Sequence, residues 1–156
     1  MPRLNDGGGM AEGSTADTEG LPQQFAALPW RIRKGRARIL LVTSRETRRL
    51  IVPKGWPIEG LKPHRVAERE ALEEAGVVGK ASRQSIGSYA YWKRMRQSFV
   101  LCGVDVFPLE VREQLDDWPE RDERQRVWVS VDEAALIVEE PGLAALLKAF
   151  DPAMAA

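Results

Sequence analysis

The stretch from Pro53 to Val77, PKGWPIEGLKPHRVAEREALEEAGV, constrains this chain more than any other. It begins with proline and glycine, which interrupt regular structure, and then offers an unbroken helical run between Pro63 and Gly76. Pro63 suits a first helical turn, where its absent N–H is no loss, and Gly76 suits the stop just beyond a helix. Within that run Glu70, Glu73 and Glu74 stand at i, i+3 and i+4, so three carboxylates share one face. Like charges at that spacing repel unless a cation lies between them. Three oxygen donors on a rigid element, beside a glycine-bearing loop, suit Mg²⁺ or Mn²⁺ engaged in phosphate chemistry. Ala67, Ala71 and Ala75 recur every fourth residue next to the acids, and small side chains there let a helix lie close on a sheet.

A glutamate-rich helix is more often a solvated face than a metal site, so the acids alone decide nothing. Their order does more. Arg69-Glu70, Glu73-Glu74 and Gly76 form five fixed identities that recur by chance on the order of 10⁻⁶ per starting position. With Gly55 upstream, the stretch resembles the Nudix box, G-x5-E-x7-R-E-U-x-E-E-x-G-U, where U is apolar. Gly55, Arg69, Glu70, Ala71, Glu73, Glu74, Gly76 and Val77 match it. Leu61 stands where the pattern has Glu.

The resemblance implies an α/β fold, a Nudix-like α/β/α sandwich with a mixed β-sheet. It implies a hydrolase that uses Mg²⁺ or Mn²⁺, with Glu70, Glu73 and Glu74 as metal ligands. Glu70, Glu73 and Arg69 are the expected catalytic group, and either a box glutamate or a loop acid serves as general base. In the family Arg69 supports the glutamates by ion pairing, partly with the acid that Leu61 replaces. Here it is left to pair with a neighbour of Glu70 or with Glu59. Pro53-Lys54-Gly55, Leu28-Pro-Trp-Arg31, and Trp128, Val131, Glu133 and Ala134 further on look like one branch. That branch is the diphosphoinositol polyphosphate phosphohydrolases, which also hydrolyse diadenosine polyphosphates. Removal of pyrophosphate from RNA 5′ ends, hydrolysis of ADP-ribose or nucleotide sugars, and a non-catalytic ligand-binding module are the alternatives.

Substrate contacts are sought among the cations. Lys+Arg and Asp+Glu are balanced at 23 each, so total charge is silent on nucleic acid, but its distribution is uneven. Arg31, Arg33, Arg45, Arg48 and Arg49, with Lys93, Arg94 and Arg96, form a basic group suited to a polyphosphate rim. Lys54 and Gly55 are the loop candidates for phosphate contact. The balance reverses between Glu110 and Glu123. Tyr89, Tyr91 and Trp92 are candidates to stack on a base, and His64, the only histidine, reads as a surface residue.

At 156 residues, with 44% hydrophobic and 29% charged content, the chain fits one globular domain. Met1 to Gly20 lacks apolar periodicity and reads as a disordered tail, leaving residues 21–152 as the domain. The single cysteine, Cys102, reads as a buried small hydrophobe. No apolar run reaches membrane-spanning length, no secretory core opens the chain, and the cytoplasm is the expected location. The expected partner is a small polyphosphate, with the protein a monomer or homodimer.

The remaining elements follow from pattern. An irregular strand is expected over Gln23–Arg33, and a buried strand over Ala37–Thr43. A further strand is expected over Arg48–Pro53, and a hairpin over Arg83–Trp92 and Arg96–Phe107 turning at Lys93–Met95. Leu109–Gln125 reads as a long loop with strand ends flanking it, of the kind that is functional or mobile. A strand over Val127–Val131 leads to a helix capped by Ser130 or Asp132, and a last helix opens at Pro141.

Overall fold

The computed structural model describes residues 17–155. In chain order the elements are β1 (Gln23–Arg33), β2 (Arg36–Thr43), β3 (Leu50–Ile51), β4 (Lys54–Gly55), α1 (Pro63–Ala75), β5 (Val77–Ala81), β6 (Gly87–Arg94), β7 (Phe99–Gln114), β8 (Arg126–Ser130), α2 (Val131–Ile137) and α3 (Pro141–Ala149), closed by a 3₁₀ turn at Pro152–Met154. Among the described residues one mixed sheet holds all the strands, and its only parallel pairing joins β1 to β7 along Gln23–Trp30 and Gly103–Glu110. Helix α1 covers one face, and α2 with α3 covers the other.

Residues of β2 show why both faces are filled. Ile39 and Leu41 enter the core beneath α2 and α3, whereas Leu40 and Val42 enter the core beneath α1. A strand buried on both sides needs apolar residues at every position, and the run ILLV supplies them. Ala67, Ala71 and Ala75 have no exposed surface and lie against Ala27, Leu40 and Leu109. That close seat fixes the height of the acids beside them.

Strand β1 is continuous over Gln23–Arg33, contrary to the irregular strand expected there. On one side Pro29 falls between the ladder to β4, at Phe25–Ala26, and the ladder to β2, which begins at Trp30. Pro108 of β7 is placed the same way, between the ladder to β6, ending at Val106, and the ladder to β5, beginning at Leu109. Each proline sits where its strand changes partner, so the missing donor removes no rung.

Other boundaries differ from the sequence pattern. The expected loop after Leu109 is β-strand as far as Gln114, held by β5, which the pattern did not reveal. Lys93 and Arg94 belong to β6, and the turn moves to Met95–Ser98, closed by Met95 N–H to the Ser98 carbonyl at 2.8 Å. The expected strand Arg48–Pro53 shrinks to Leu50–Ile51. Ser130, rather than Asp132, caps α2, in a reciprocal box with Glu133. His64 is buried, not on the surface.

Most of the expected tail, residues 1–16, lies outside the described residues. Its last part packs on the fold: Thr18 is buried and its carbonyl accepts from Gln23 Nε2 at 2.8 Å.

Candidate active site

Helix α1 starts and stops as its sequence dictates, with Pro63 in its first turn and Gly76 left-handed at φ 65°. This orientation turns Glu70 and Glu74 towards a cleft of about 990 Å³ that β4, β6 and the loop before β8 enclose. Glu70 lies hard against Gly55: a Cβ there would come within 2.3 Å of the Glu70 Oε1. Glycine is required at this point for the approach of the carboxylate, not for a special backbone angle. Burial, then the charges of Glu74, Glu73 and Glu120, push the Glu70 carboxyl up to about 7.

Glu74 is 3% exposed. Its Oε2 accepts from the Lys54 N–H at 3.0 Å, and its Oε1 pairs with Arg124 Nη2 at 2.9 Å. Desolvation raises its pKa to about 7 against the opposing pull of Arg124 and of Lys54. Glu73, on the shared face by spacing, does not line the cleft; Arg69 Nε holds it at 3.2 Å on the solvent side. This pair is also what becomes of Arg69 once Leu61 replaces the box acid, for Leu61 is itself exposed. An exposed i,i+4 ion pair contributes only about 0.3–0.5 kcal/mol, so it is a weak restraint on Glu73.

The acid that the sequence pattern missed is Glu120. The loop carrying it is clamped onto the last turn of α1, whose carbonyls have no partner within the helix. Glu120 N–H donates to the Glu73 carbonyl at 3.0 Å, and Trp118 Nε1 donates to that of Glu74 at 3.1 Å. Arg126 Nη1 reaches the carbonyls of Ala75 and Gly76 at 3.0 and 3.3 Å, with its guanidinium 3.9 Å above the Trp118 ring. A cation at a helix C-terminus also opposes the negative end of its dipole. Only the reversal of charge in this segment signalled such a role.

Other expected contacts divide by position. Lys54, Gly55, Arg45 and Lys93 line the cleft. Lys54 places its ammonium 4.8 Å from the Tyr91 ring, and desolvation lowers its pKa to about 8. Arg45 is drawn to Glu120 and Glu123, and Arg49 is tied to Glu140 at 2.7 Å. Arg31, Arg33 and Arg48 do not line it: Arg31 stacks 3.9 Å from the Trp128 ring, Arg33 is exposed at the end of β1, and Arg48 sits in the exposed turn before β3. Tyr89 is core, and the Tyr91 hydroxyl is spent on Gln24. Trp56, Trp92 and Phe99 instead offer exposed ring surface to the cleft.

Among the described residues no three acidic, histidine or cysteine side chains close into a metal cage. The donor set nevertheless fits a hard dication. Glu70, Glu74 and Glu120 converge on one cleft with Arg124 between the latter two, and no ion pair reaches Glu70 among the described residues. Mg²⁺ keeps several waters and needs only one or two carboxylates.

Residues 22–150 match the model of the NUDIX domain. The chain is 34% identical over 139 residues to Nudix hydrolase 21, chloroplastic, of Arabidopsis thaliana, spanning 86% of this chain and 68% of that protein. With Nudix hydrolase 18, mitochondrial, of the same plant it shares 39% over 97 residues, covering 62% of this chain and only 53% of the relative. Diphosphoinositol polyphosphate phosphohydrolase 2 of Rattus norvegicus is 32% identical over 127 residues, 80% of this chain and 67% of that one. In fold, the chain is similar to a C. elegans Ap4A hydrolase in a binary complex, with a TM-score of 0.67 at 19% identity, covering 86% of this chain and 98% of the other. The box on α1, the sandwich that carries it and the family model covering nearly all the described residues agree: the chain belongs to the Nudix hydrolase family.

Proposed function

We propose that this Nudix hydrolase cleaves a phosphoanhydride bond with the aid of Mg²⁺ or Mn²⁺, acting on diadenosine polyphosphates ahead of diphosphoinositol polyphosphates. The observation that carries this reading is a single cleft lined both by acids and by exposed rings. Glu70, Glu74 and Glu120 are its acidic pole, and Trp56, Trp92 and Phe99, which serve as its aromatic wall, line the same cleft with Lys93 and Arg94.

Glu70, Glu74 and Glu120 are the residues in the cleft that would hold the cation, joined by Glu73 on release from Arg69. When bound, the cation neutralises charge on the phosphates and makes a nearby water more acidic. Glu70, seated against Gly55 and titrating near neutrality, is the residue suited to take a proton from attacking water. Lys54 and Lys93 bind and orient the phosphates, and the aromatic wall takes the far end of the substrate. Base stacking on such side chains contributes about 1–3 kcal/mol per base.

The ranking of substrates rests on which cations are free. Arg45, Arg49 and Arg124 are engaged by carboxylates, whereas Lys93 and Arg94 face the cleft without a carboxylate partner among the described residues. An inositol ring crowded with phosphates calls for many free cations, and a nucleoside calls for flat apolar surface. The second reading retains support from the rat relative. A panel of diadenosine polyphosphate, diphosphoinositol polyphosphate and 5′-triphosphorylated RNA, each with Mg²⁺, Mn²⁺ or chelator, tests the order. Metal-dependent turnover highest on the diadenosine compound is expected. Faster cleavage of the inositol compound reverses the ranking, and cleavage confined to RNA replaces it.

A further inference from the structure

The box of this chain lacks one of its own supports, and the structure contains a residue that supplies a different one. Leu61 is 38% exposed and takes no part in the acid cluster, and Arg69 is spent on Glu73 at the surface. Neither reaches the acids that face the cleft. Arg124 does, from the opposite side. Its side chain is 7% exposed, and each kind of nitrogen in its guanidinium has a partner. Nη2 meets Glu74 Oε1 at 2.9 Å, Nε meets Glu120 Oε1 at 3.1 Å, and Nη1 donates to the Thr43 carbonyl at 3.0 Å.

This anchor is fixed rather than adjustable. The next residue, Gln125, is bound to Thr43 both ways: Thr43 N–H donates to the Gln125 carbonyl at 2.9 Å, and Gln125 N–H donates to Thr43 Oγ1 at 2.9 Å. Arg124 therefore ties three elements, with the end of β2 as reference, α1 through Glu74, and the loop through Glu120. A planar fork can serve two carboxylates and a carbonyl at once, which the point charge of lysine cannot.

We infer that Arg124 is a positioning residue for the acidic pole: fixed to the backbone at the end of β2, it holds the helix acid Glu74 and the loop acid Glu120 at a set separation, a support not made inside the box. The inference rests on the metal-dependent reading of this cleft. Without Arg124, two carboxylates are left facing each other without a shared partner, and they move apart or take up a proton. Either change removes a ready-made pair of oxygen donors.

The test is binding of Mn²⁺ without substrate, followed by calorimetry on wild type, R124M, R124K and T43V, with folding checked by circular dichroism. R124M is expected to bind Mn²⁺ at least about tenfold more weakly, the scale seen when a group supporting a metal ligand is removed. R124K, keeping the charge but not the fork, recovers part of that loss. T43V deletes the Gln125–Thr43 hydroxyl link that helps fix Arg124 but keeps the fork, its carbonyl anchor and both acid partners, so it is expected to lose clearly less Mn²⁺ affinity than R124M. Mn²⁺ binding by R124M equal to or tighter than wild type overturns the inference, as does an equal loss in T43V, which makes Arg124 a plain structural tie. Should R124M fail to fold, folded R124K decides: weakened binding supports the role, and wild-type binding refutes it. Wild type that binds Mn²⁺ yet cleaves no polyphosphate defeats the hydrolytic reading and leaves the role of Arg124 intact.

Discussion

Gly55 and Glu70 are matched through space. The carboxylate occupies the volume that a Cβ at position 55 would need, its Oε1 only 2.3 Å from that point, so Gly55→Ala displaces the acid while leaving β4 in place. Turnover by this variant is expected to fall about tenfold to a hundredfold with circular dichroism unchanged, in keeping with the sensitivity of reacting geometry to shifts near 1 Å; wild-type kcat in the variant contradicts it. Glu70 also gives the metal-free protein a pH signature. Its carboxyl titrates near 4.5 when unfolded and at about 7 when folded. Between those values the folded chain holds the extra proton, so stability is greatest at the acid end and declines as pH rises through the folded value. Glu70→Gln removes the charge that burial and its neighbours oppose. In chelator, its melting temperature should therefore gain on wild type progressively from about pH 5 to about pH 8. A gain that does not grow with pH contradicts the assignment. The same variant should lose turnover by about 10²-fold or more, since it can take no proton.

At the scale of elements, α1 and the loop after β7 act together. The three alanines that seat α1 on the sheet are fully buried, and Ala71→Leu is expected to cost about 1–3 kcal/mol in denaturant unfolding. Because the helix must rise from the sheet to admit it, Mn²⁺ affinity should fall as well. Loss of stability with unchanged Mn²⁺ affinity speaks against rigid seating of the acids. The helix was legible because its start, stop, alanine spacing and acid spacing are all local. The loop was not. Its clamp consists of side chains of Trp118, Arg124 and Arg126 meeting carbonyls and carboxylates up to 81 residues distant along the chain. No spacing rule connects them. Strand β5 escaped notice for a related reason: its ladder to β7 makes sense only once β7 is seen to continue beyond Pro108.

For the whole molecule, the sheet with a helical layer on each face brings the box to one side of a cleft and the β6–β7 hairpin to the other. The two-sided core was written into the unbroken apolar run of β2, whereas the fate of the basic residues was not. A linear count of basic residues could not tell Arg49, held by Glu140, from Lys93, which faces the cleft. Nor could it tell that Trp56 and Phe99 would line the same cleft as Trp92. If that wall receives a base, Trp92→Ala with Phe99→Ala should raise KM for a diadenosine polyphosphate about tenfold or more while leaving Mn²⁺ binding intact, given about 1–3 kcal/mol per stacked base. An unchanged KM removes the wall from the substrate site. The most direct measurement follows a diadenosine polyphosphate in water enriched in heavy oxygen, with Mg²⁺ or Mn²⁺ present, and reads the products by mass spectrometry. Water attack at phosphorus predicts one labelled phosphoryl product from wild type, none in chelator, and formation about 10²-fold slower or more from Glu70→Gln. Product formed equally without metal, or no cleavage of any phosphoanhydride by the metal-loaded wild type, would contradict the account.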